Sequence, residues 1–284
     1  MRILVTGAGG QVGRELVELC TARDDDVVAA DRARLDATDR DAVLQACLST
    51  RPDAIVHCGS WTAVDACESD PDHAYAANAL AARHIAEGAT RAGAHLVHIS
   101  TDYVFDGTKP SPYDEWDVPN PASVYGRSKW AGEQEVLQTA ASSTTVRISW
   151  VCGQYGNNMV KTLLRLVRDG VDPKFVDDQI GHPTIVSDLV PVLRRFAVDR
   201  RPGLFHVTNQ GAVSWFEFAQ GVFKAAGADV ARVSPISTAE LDPPRPAPRP
   251  ANSVLDNAAL RLSQLPLLPH YEDSLARLVR QLGG

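Results

Sequence analysis

The sequence predicts an α/β fold in which a doubly wound parallel sheet is accompanied by a smaller C-terminal α/β substrate domain. Short β-branched apolar runs alternate with helix-like segments through residues 1–155, which is typical of parallel strands joined by right-handed crossovers. A glycine-rich turn directly follows the first apolar run, and the later part of the chain is less regular. With 284 residues, the chain is long enough for two unequal domains with a substantial core.

The glycine turn predicts a dinucleotide site of the Rossmann type. Arg2–Thr6 is the first predicted strand, and Glu15–Leu19 belongs to the helix that follows the turn. In this context Gly7 permits a tight turn, Gly10 lets a pyrophosphate approach the backbone, and Gly13 lets the helix pack close to the strand. The helix N-terminus offers free N–H groups to the phosphates. The cofactor contacts expected in this turn are Gly7, Gly10, Gln11 and Val12.

The end of the second predicted strand bears on the choice of nicotinamide cofactor. Asp31 ends the run Val27–Asp31, and an acidic residue at this place usually binds the ribose hydroxyls, which favours NADH. Arg32 and Arg34 follow at once. Because either guanidinium could neutralise a 2′-phosphate, NADPH stays open as well. The other cofactor contacts predicted here lie towards the adenine: Leu35 and Asp36.

The third and fourth predicted strands each end in residues suited to a site. Asp53–Cys58 leads into Gly59 and Ser60, and small residues there allow the cofactor backbone to pass close to the chain. Cys58, Gly59 and Ser60 are therefore predicted cofactor contacts. His95–Thr101 ends in two hydroxyl groups followed by Asp102. Ligands of open parallel sheets bind at such carboxyl ends.

A tyrosine and a lysine supply the predicted chemistry. Tyr125 and Lys129 are four residues apart on a predicted helix, so their side chains lie on one face. A phenol has an ordinary pKa of about 10, and a nearby ammonium lowers it. Such a tyrosine can exchange a proton with a carbonyl or alcohol oxygen. Taken alone, such a pair is more often an ordinary surface pair, and the catalytic interpretation depends on the glycine turn and on Ser100–Asp102 at the end of the fourth predicted strand.

The less regular part of the chain is predicted to form the second domain. The dinucleotide-binding domain would comprise residues 1–155 and about 184–207, and the substrate domain residues 156–183 and 208–284, with a cleft between them. The proline-rich segment Lys109–Pro121 is long enough for a lid over that cleft. No histidine or cysteine set at metal-ligand spacing is present, so no metal site is predicted from spacing.

Composition excludes several classes of protein. The formal net charge is −7 and no long basic run occurs, which argues against a nucleic-acid partner. Five scattered cysteines without a CxxC pair indicate reduced thiols. No apolar run approaches about 18 residues, so no membrane span is expected. The N-terminus leads straight into a strand, without a signal-peptide pattern, and we predict a cytoplasmic protein.

The motifs as a set resemble the dTDP-4-dehydrorhamnose reductase family within the extended short-chain dehydrogenase/reductase superfamily. The glycine turn and the Tyr125/Lys129 pair are similar to the motifs of the superfamily. The narrower resemblance runs the length of the chain in the expected order, and its segments are Gly10–Gly13, Ser100–Phe105, Val124–Gly126, Ala131–Glu133, Arg147–Val151, Gly156–Asn158, Asp178–Thr184 and Pro248–Pro250.

The resemblance implies an activity and a role for several residues. The family reduces the 4-keto group of a dTDP-linked 4-dehydro-6-deoxyhexose with NADPH or NADH, and dTDP-4-dehydro-L-rhamnose would give dTDP-L-rhamnose. Thr101 would hydrogen-bond the keto oxygen, and Tyr125 would donate the proton as hydride arrives from the nicotinamide. Lys129 would bind the nicotinamide ribose and lower the tyrosine pKa. Trp150 would line the sugar pocket, unless it is a core aromatic. Further implied substrate contacts are Val64, Asp102, Asn158 and Arg249.

The resemblance leaves the assembly and the exact reaction open. Some family members are metal-bridged dimers that use glutamates. Glu15 matches one such position, but Ser187 and Asp188 stand where another is expected, so Mg²⁺ and a homodimer stay open. Alternative functions are a dTDP-4-keto-6-deoxysugar ketoreductase of secondary metabolism and a non-catalytic regulatory subunit of methionine adenosyltransferase. The intact Thr101/Tyr125/Lys129 set argues against the regulatory subunit, because a binding module needs no tuned proton donor.

Overall fold

A parallel sheet forms the centre of the fold in the computed structural model, which describes residues 1–283. The strands in chain order are β1 (Arg2–Thr6), β2 (Asp26–Ala30), β3 (Ala54–His57), β4 (His95–Thr101), β5 (Ser143–Ile148), β6 (Val151–Cys152), β7 (Lys174–Val176), β8 (Ile180–Gly181), β9 (Thr184–Ile185), β10 (Gly203–His206), β11 (Val213–Ser214) and β12 (Ser234–Ile236). The central sheet has the order β2-β1-β3-β4-β5-β10, and every neighbouring pair in it is parallel. The predicted fold class is confirmed.

Helices cover both faces of this sheet. The helices of the whole fold, including those beside the sheet, are in chain order α1 (Gln11–Ala22), α2 (Arg40–Thr50), α3 (Val64–Ser69), α4 (Pro71–Tyr75), α5 (Ala81–Ala92), α6 (Val124–Thr139), α7 (Met159–Arg168), α8 (Val186–Asp199), α9 (Trp215–Ala225), α10 (Ala258–Leu262) and α11 (Tyr271–Gln281). Successive strand residues point to opposite faces. Ile3 and Val5 therefore pack in a core with α1 and α8, while Leu4 packs in a core with α2 and α5. Burial on both faces explains why the strands are almost continuously apolar.

The strand order places a crevice at the carboxyl end of the sheet. The chain leaves β1 for β2 on one side and returns to β3 on the other. Ligands bind in the crevice at such a reversal in open α/β sheets. Thr6 and His57 are paired at the ends of β1 and β3, and the Thr6 Oγ1 lies 2.7 Å from the His57 Nδ1. A polar edge therefore lines the expected binding position.

A second hydrophobic core lies beside the sheet, and we call the part built around it the second lobe. It contains α7, α9 and α11, with two small sheets formed by β7 with β12 and β8 with β11. Phe218 and Phe223 are completely buried in it. A capping box of Ser214 and Glu217 fixes the start of α9 by satisfying its first N–H groups. The exact domain boundaries given above stay a prediction.

The structure ends β5 earlier than predicted. The sequence predicts a strand over Thr145–Val151, but β5 stops at Ile148 and the short strand β6 pairs separately with β9. Trp150 lies between them with a φ of +45°. A left-handed backbone is incompatible with a strand and costs a residue with a side chain about 1–3 kcal/mol. The surrounding structure must therefore hold the chain in this conformation at Trp150.

The predicted helix Ala74–Ala92 is also interrupted. A π-helical turn at Ala76–Leu80 separates α4 from α5, and π turns inside helices often occur at functional sites. Asn78 lies in this turn and is buried. Its side-chain amide accepts from the Trp61 N–H at 2.7 Å and donates to the Ser128 Oγ at 3.0 Å. Asn78 thus fixes the loop after β3 against α6.

The segment Lys109–Pro121 is anchored, which differs from the lid interpretation. Tyr113 is buried and forms an isolated bridge with Leu255, and its N–H donates to the Val254 carbonyl at 2.8 Å. The Glu115 carboxylate accepts the His206 N–H at 2.8 Å.

No helix among residues 1–283 is long and apolar enough to cross a membrane.

Candidate active site

Two adjoining cavities lie at the carboxyl edge of the sheet. The first has a volume of about 490 Å³ and is bordered by the ends of β1, β2 and β3. The second has a volume of about 410 Å³ and lies between the ends of β4 and β5 and the second lobe. Gly10, Cys58 and Ser60 line both. The two cavities therefore form one cleft, long enough for an extended ligand that crosses the glycine turn.

The glycine turn is shaped by close backbone packing. Gly7 has a φ of +70°, and a Cβ on it would lie 2.5 Å from the Gly59 N. A Cβ on Gly13 would overlap the Gly7 carbonyl oxygen. No side chain caps the start of α1, so its first N–H groups point free at the cleft. This arrangement fits a pyrophosphate, because the groups offered are backbone donors at a positive dipole end.

The first cavity brings together the residues predicted at the ribose and adenine. Those lining it are Gly7, Gly10, Asp31, Arg32, Leu35, Asp36, Cys58, Gly59 and Ser60. The Arg34 guanidinium is directed elsewhere, because it donates to the Ala29 carbonyl at 3.0 Å. Of the two arginines considered for a 2′-phosphate, the structure thus places Arg32 at the cavity wall. His57 and Trp61 also line it, and no sequence motif had singled them out for this role.

The second cavity brings together the three predicted catalytic residues. Thr101, Tyr125 and Lys129 line it together with Gln11 and Val12. Ser123 caps α6 by accepting the Gly126 N–H at 3.1 Å, which fixes the turn that carries the tyrosine. Tyr125 and Lys129 are 7% and 2% exposed. Both reactive groups are therefore largely withdrawn from bulk water.

Burial sets the protonation states of this pair. It raises the pKa of the Tyr125 phenol above its ordinary value of 10.0, and the adjacent Thr101 hydroxyl only partly opposes the shift. Burial also lowers the pKa of Lys129 to about 8, although the negative charge of Glu133 acts to raise it. The Lys129 ammonium donates to the Ile99 carbonyl at 2.7 Å. The expected lowering of the tyrosine pKa by Lys129 is not seen here, because burial is the largest cause of the shift and the negative charge of Asp102 adds to it.

Thr101 shares its hydroxyl with a buried carboxylate. The Thr101 Oγ1 donates to the Asp102 Oδ1 at 2.9 Å. Asp102 is 2% exposed, and its Oδ2 has no hydrogen-bond partner among residues 1–283. Burial raises the pKa of Asp102 to about 6. A hydroxyl has one hydrogen, so Thr101 can donate to another acceptor only when that hydrogen leaves Asp102.

Aromatic side chains close the far side of the second cavity. Trp150 lines it, as predicted for a sugar pocket, and Val64 lines it as well. Tyr103 and Trp215 also line it, and neither is a predicted site residue. Tyr103 follows the Ser100–Asp102 motif directly and could have been found from it. Trp215 lies in no motif of the sequence, and the fold brings it to the cleft.

Two predicted substrate contacts lie outside the lining of both cavities. Asn158 caps α7 and donates to the Gln11 Oε1 at 2.9 Å. Arg249 forms a bidentate ion pair with Asp65 at the start of α3, in which its Nη2 lies 2.8 Å from the Asp65 Oδ2. The structure therefore gives each side chain a structural partner. Their contact with a substrate stays a prediction.

The carboxylates considered for a metal are already engaged. Glu15 is buried and accepts the Gln154 N–H at 2.8 Å. Asp188 pairs with Arg277 at 2.6 Å and accepts from Asn209. Among residues 1–283, no cluster of three or more His, Cys, Asp or Glu side chains is arranged to hold a metal ion. A magnesium site within a single chain does not fit these contacts.

The cleft and its fold together define a class of protein. A doubly wound sheet with a glycine turn at its strand reversal and a Tyr/Lys pair beside it is the arrangement of a nicotinamide-dependent oxidoreductase of the extended short-chain dehydrogenase/reductase type. The family model described as RmlD substrate binding domain matches residues 1–283. The chain belongs to this family, and the resemblance deduced from its motifs is confirmed.

Individual relatives agree with that assignment. The dTDP-4-dehydrorhamnose reductase of Aggregatibacter actinomycetemcomitans is 40% identical over 267 residues, which cover 90% of each chain. A probable dTDP-4,6-dihydroxy-2-methyloxan-3-one 4-ketoreductase of Streptomyces antibioticus is 41% identical over 97% of this chain and 93% of the relative. The crystal structure of a Bacillus anthracis dTDP-4-dehydrorhamnose reductase in complex with NADP has a TM-score of 0.95 and 41% identity over 99% of both chains.

Proposed function

We propose that the protein reduces the 4-keto group of a dTDP-linked 4-dehydro-6-deoxyhexose with NADPH or NADH, and that dTDP-4-dehydro-L-rhamnose is converted to dTDP-L-rhamnose. The observation that carries the proposal is the gathering of Thr101, Tyr125 and Lys129 in a cavity continuous with the glycine turn. Relatives named for this reduction match nearly the whole chain. The B. anthracis relative that binds NADP supports the cofactor class.

The cofactor would lie along the cleft with its pyrophosphate at the glycine turn. The phosphates would contact Gly10, Gln11 and Val12. The adenine would lie in the first cavity, against Leu35 and Asp36. Asp31 and Arg32 would face the adenosine ribose. When bound, the reduced nicotinamide supplies the hydride that converts the ketone carbon to an alcohol carbon. Lys129 would hold the second ribose in the other cavity.

The side chains of the second cavity would complete the reduction. Tyr125 is protonated through the neutral range because burial raises its pKa, and this is the form that can give a proton to the developing alkoxide. The charged Lys129 would stabilise the phenolate that remains. A ketone oxygen only accepts hydrogen bonds, so Thr101 must turn its hydroxyl from Asp102 towards it. Because Asp102 is buried, with a pKa of about 6, it is mainly ionised at neutral pH. Turning the hydroxyl away leaves this carboxylate without that donor, a cost that binding of the ketone has to offset.

The substrate nucleotide would lie towards the second lobe. We propose that residues 1–155 with about 184–207 bind the dinucleotide and that residues 156–183 and 208–284 bind the nucleotide sugar. Val64, Asp102 and Trp150 would contact the sugar, since all three line the second cavity. Binding energy from the nucleotide can orient the ketone against the nicotinamide. A free 4-keto sugar should therefore react with a lower kcat and a higher KM than its dTDP conjugate.

A ketoreductase of secondary metabolism is the second candidate function. The S. antibioticus relative, whose name describes a 4-ketoreductase, is as similar to this chain as the reductase from A. actinomycetemcomitans. Both candidates use the same cofactor and the same proton donor. They differ in the sugar ring, so only the substrate can separate them.

The deciding experiment follows NADPH and NADH absorbance at 340 nm with purified protein. dTDP-4-dehydro-L-rhamnose and a dTDP-4-keto-6-deoxysugar of different ring stereochemistry would be supplied in parallel. Turnover of the first with the higher kcat/KM supports the rhamnose assignment, and preference for the second supports the alternative. Cofactor binding without turnover of any nucleotide sugar would instead favour a regulatory subunit.

The homodimer and the cytoplasmic location stay predictions. Size exclusion chromatography would test the first, and cell fractionation would test the second.

A further inference from the structure

Two tryptophans from different parts of the fold form a stacked pair in the second cavity. Trp150 follows β5 of the central sheet, and Trp215 is the first residue of α9 in the second lobe. Their ring centroids are 3.6 Å apart and their planes differ by 9°. Both are only half-buried, and both line the cavity that contains Thr101 and Tyr125. The stack therefore joins the two parts of the protein beside the reacting groups.

The surroundings of Trp150 hold both its backbone and its indole. Its φ of +45° is unfavourable for a residue with a side chain, and such a conformation persists only where the surroundings determine it. The Thr184 N–H binds the Trp150 carbonyl at 3.2 Å. Gly181 leaves room for the ring, because a Cβ there would lie 2.7 Å from the Trp150 Cε2. Trp215 covers the indole face.

Trp215 is itself firmly placed. The capping box of Ser214 and Glu217 fixes the backbone at the start of α9. Phe218, one turn further along, is completely buried and meets both indoles edge-on, with centroids 6.3 Å from Trp150 and 5.9 Å from Trp215. The second lobe thus fixes the position and orientation of the Trp215 indole against Trp150.

We propose that Trp215 is a positioning residue for the sugar pocket, holding the Trp150 indole as the wall against which the substrate's pyranose ring packs. This inference rests on the proposed function. An indole wall suits the C–H face and the methyl group of a 6-deoxy sugar, since neither carries a polar group that would lose its hydrogen bonds there. Trp215 would act through Trp150, and its loss should loosen the sugar while leaving the dinucleotide site intact.

Trp215→Leu is the test variant, and Trp215→Phe is the conservative one. We expect Trp215→Leu to raise KM for the dTDP ketose by about three- to tenfold, the scale of one aromatic pair, with a smaller loss in kcat. NADPH affinity should stay close to that of the wild type, and the melting temperature should fall by only about 1–6 °C, the scale of one aromatic pair. Trp215→Phe should restore most of the KM. Trp116→Leu is the matched control, because Trp116 is 66% exposed and lines neither cavity.

A spectroscopic measurement follows the stack without turnover. Two stacked indoles couple their transitions and give paired bands of opposite sign in far-ultraviolet circular dichroism. The pair of bands should vanish in Trp215→Leu and persist in Trp116→Leu. Wild-type KM in a variant that has lost the bands would overturn the proposal, as would an equal loss of sugar and NADPH affinity. If wild-type protein turns over no nucleotide sugar, the proposed function fails, whereas intact turnover with unchanged variant kinetics rejects only the role of Trp215.

Discussion

Glu133 should set the upper pH limit of catalysis through its charge. It lies one helical turn beyond Lys129 on α6, so the two side chains share a face. Glu133 is 5% exposed and holds Arg147 through two bonds of 2.9 and 2.7 Å. Its negative charge raises the pKa of Lys129, which burial lowers to about 8. Glu133→Gln removes that charge while keeping the shape of the side chain.

The size of the effect follows from Coulomb's law. Two unit charges roughly 10 Å apart at an effective dielectric constant of about 20 interact by about 1.7 kcal/mol, or about one pKa unit. Lys129 is charged below its pKa, and removal of a nearby negative charge lowers that pKa. The alkaline limb of the kcat profile should therefore move about one pH unit towards acid. At pH 8 kcat should fall about fivefold, while at pH 6 it should be nearly unchanged.

The assay is steady-state reduction of the dTDP ketose from pH 6 to pH 9. Glu133→Gln also leaves the buried Arg147 without its ionic partner, which can cost about 3–5 kcal/mol of stability. Adding Arg147→Met should recover the melting temperature but return only part of the alkaline limb, because it removes an unpaired positive charge while the charge of Glu133 stays absent. Glu135→Gln on the same helix, where Glu135 pairs with Arg83 at 3.7 Å, is the matched control. An unmoved limb in Glu133→Gln would refute the reasoning.

Three further predictions address the donor, the cofactor and the glycine turn. Tyr125→Phe should lower kcat by about 10²-fold or more with unchanged NADPH affinity, and near-wild-type kcat would remove Tyr125 from the mechanism. Asp31→Ala should shift kcat/KM towards NADPH because it removes a carboxylate that repels the 2′-phosphate, and Arg32→Ala should shift it towards NADH; no shift in either ratio would place these residues away from the ribose. Gly13→Ala should lower the melting temperature, because its Cβ would overlap the Gly7 carbonyl, and an unchanged melting temperature would show that the turn can relax.

Local sequence rules predict the dinucleotide half of the cleft well. The turn at Gly7–Gly13, the acidic residue after β2 and the small residues after β3 lie in short segments whose context is fixed by an adjacent strand and helix. Parallel strands bring such carboxyl ends to one edge whatever happens elsewhere. This is why the first cavity contains Asp31, Arg32, Leu35 and Asp36, whereas Arg34 is directed elsewhere.

The second cavity was harder to predict because its partners are far apart in the chain. Trp150 and Trp215 meet across 65 residues, and no local periodicity records that meeting. The left-handed backbone at Trp150 also overrides the β-branched run that predicted a longer strand. Arg249 likewise pairs with Asp65, which lies 184 residues away, and its contact with the substrate stays a prediction. Long-range pairing of this kind leaves no signal in a single sequence.

The pKa shifts of the catalytic pair were the least predictable feature, and they bear on the direction of the reaction. Spacing alone suggested that Lys129 would favour the phenolate of Tyr125, whereas burial favours the neutral form of both groups. Between neutral pH and about 8 the outcome is still a protonated phenol beside a charged ammonium. That is the resting state required to give a proton to a ketone, and the opposite direction would first require the phenol to ionise in a buried site. An enzyme cannot alter the equilibrium, but this cleft rests in the state from which reduction begins.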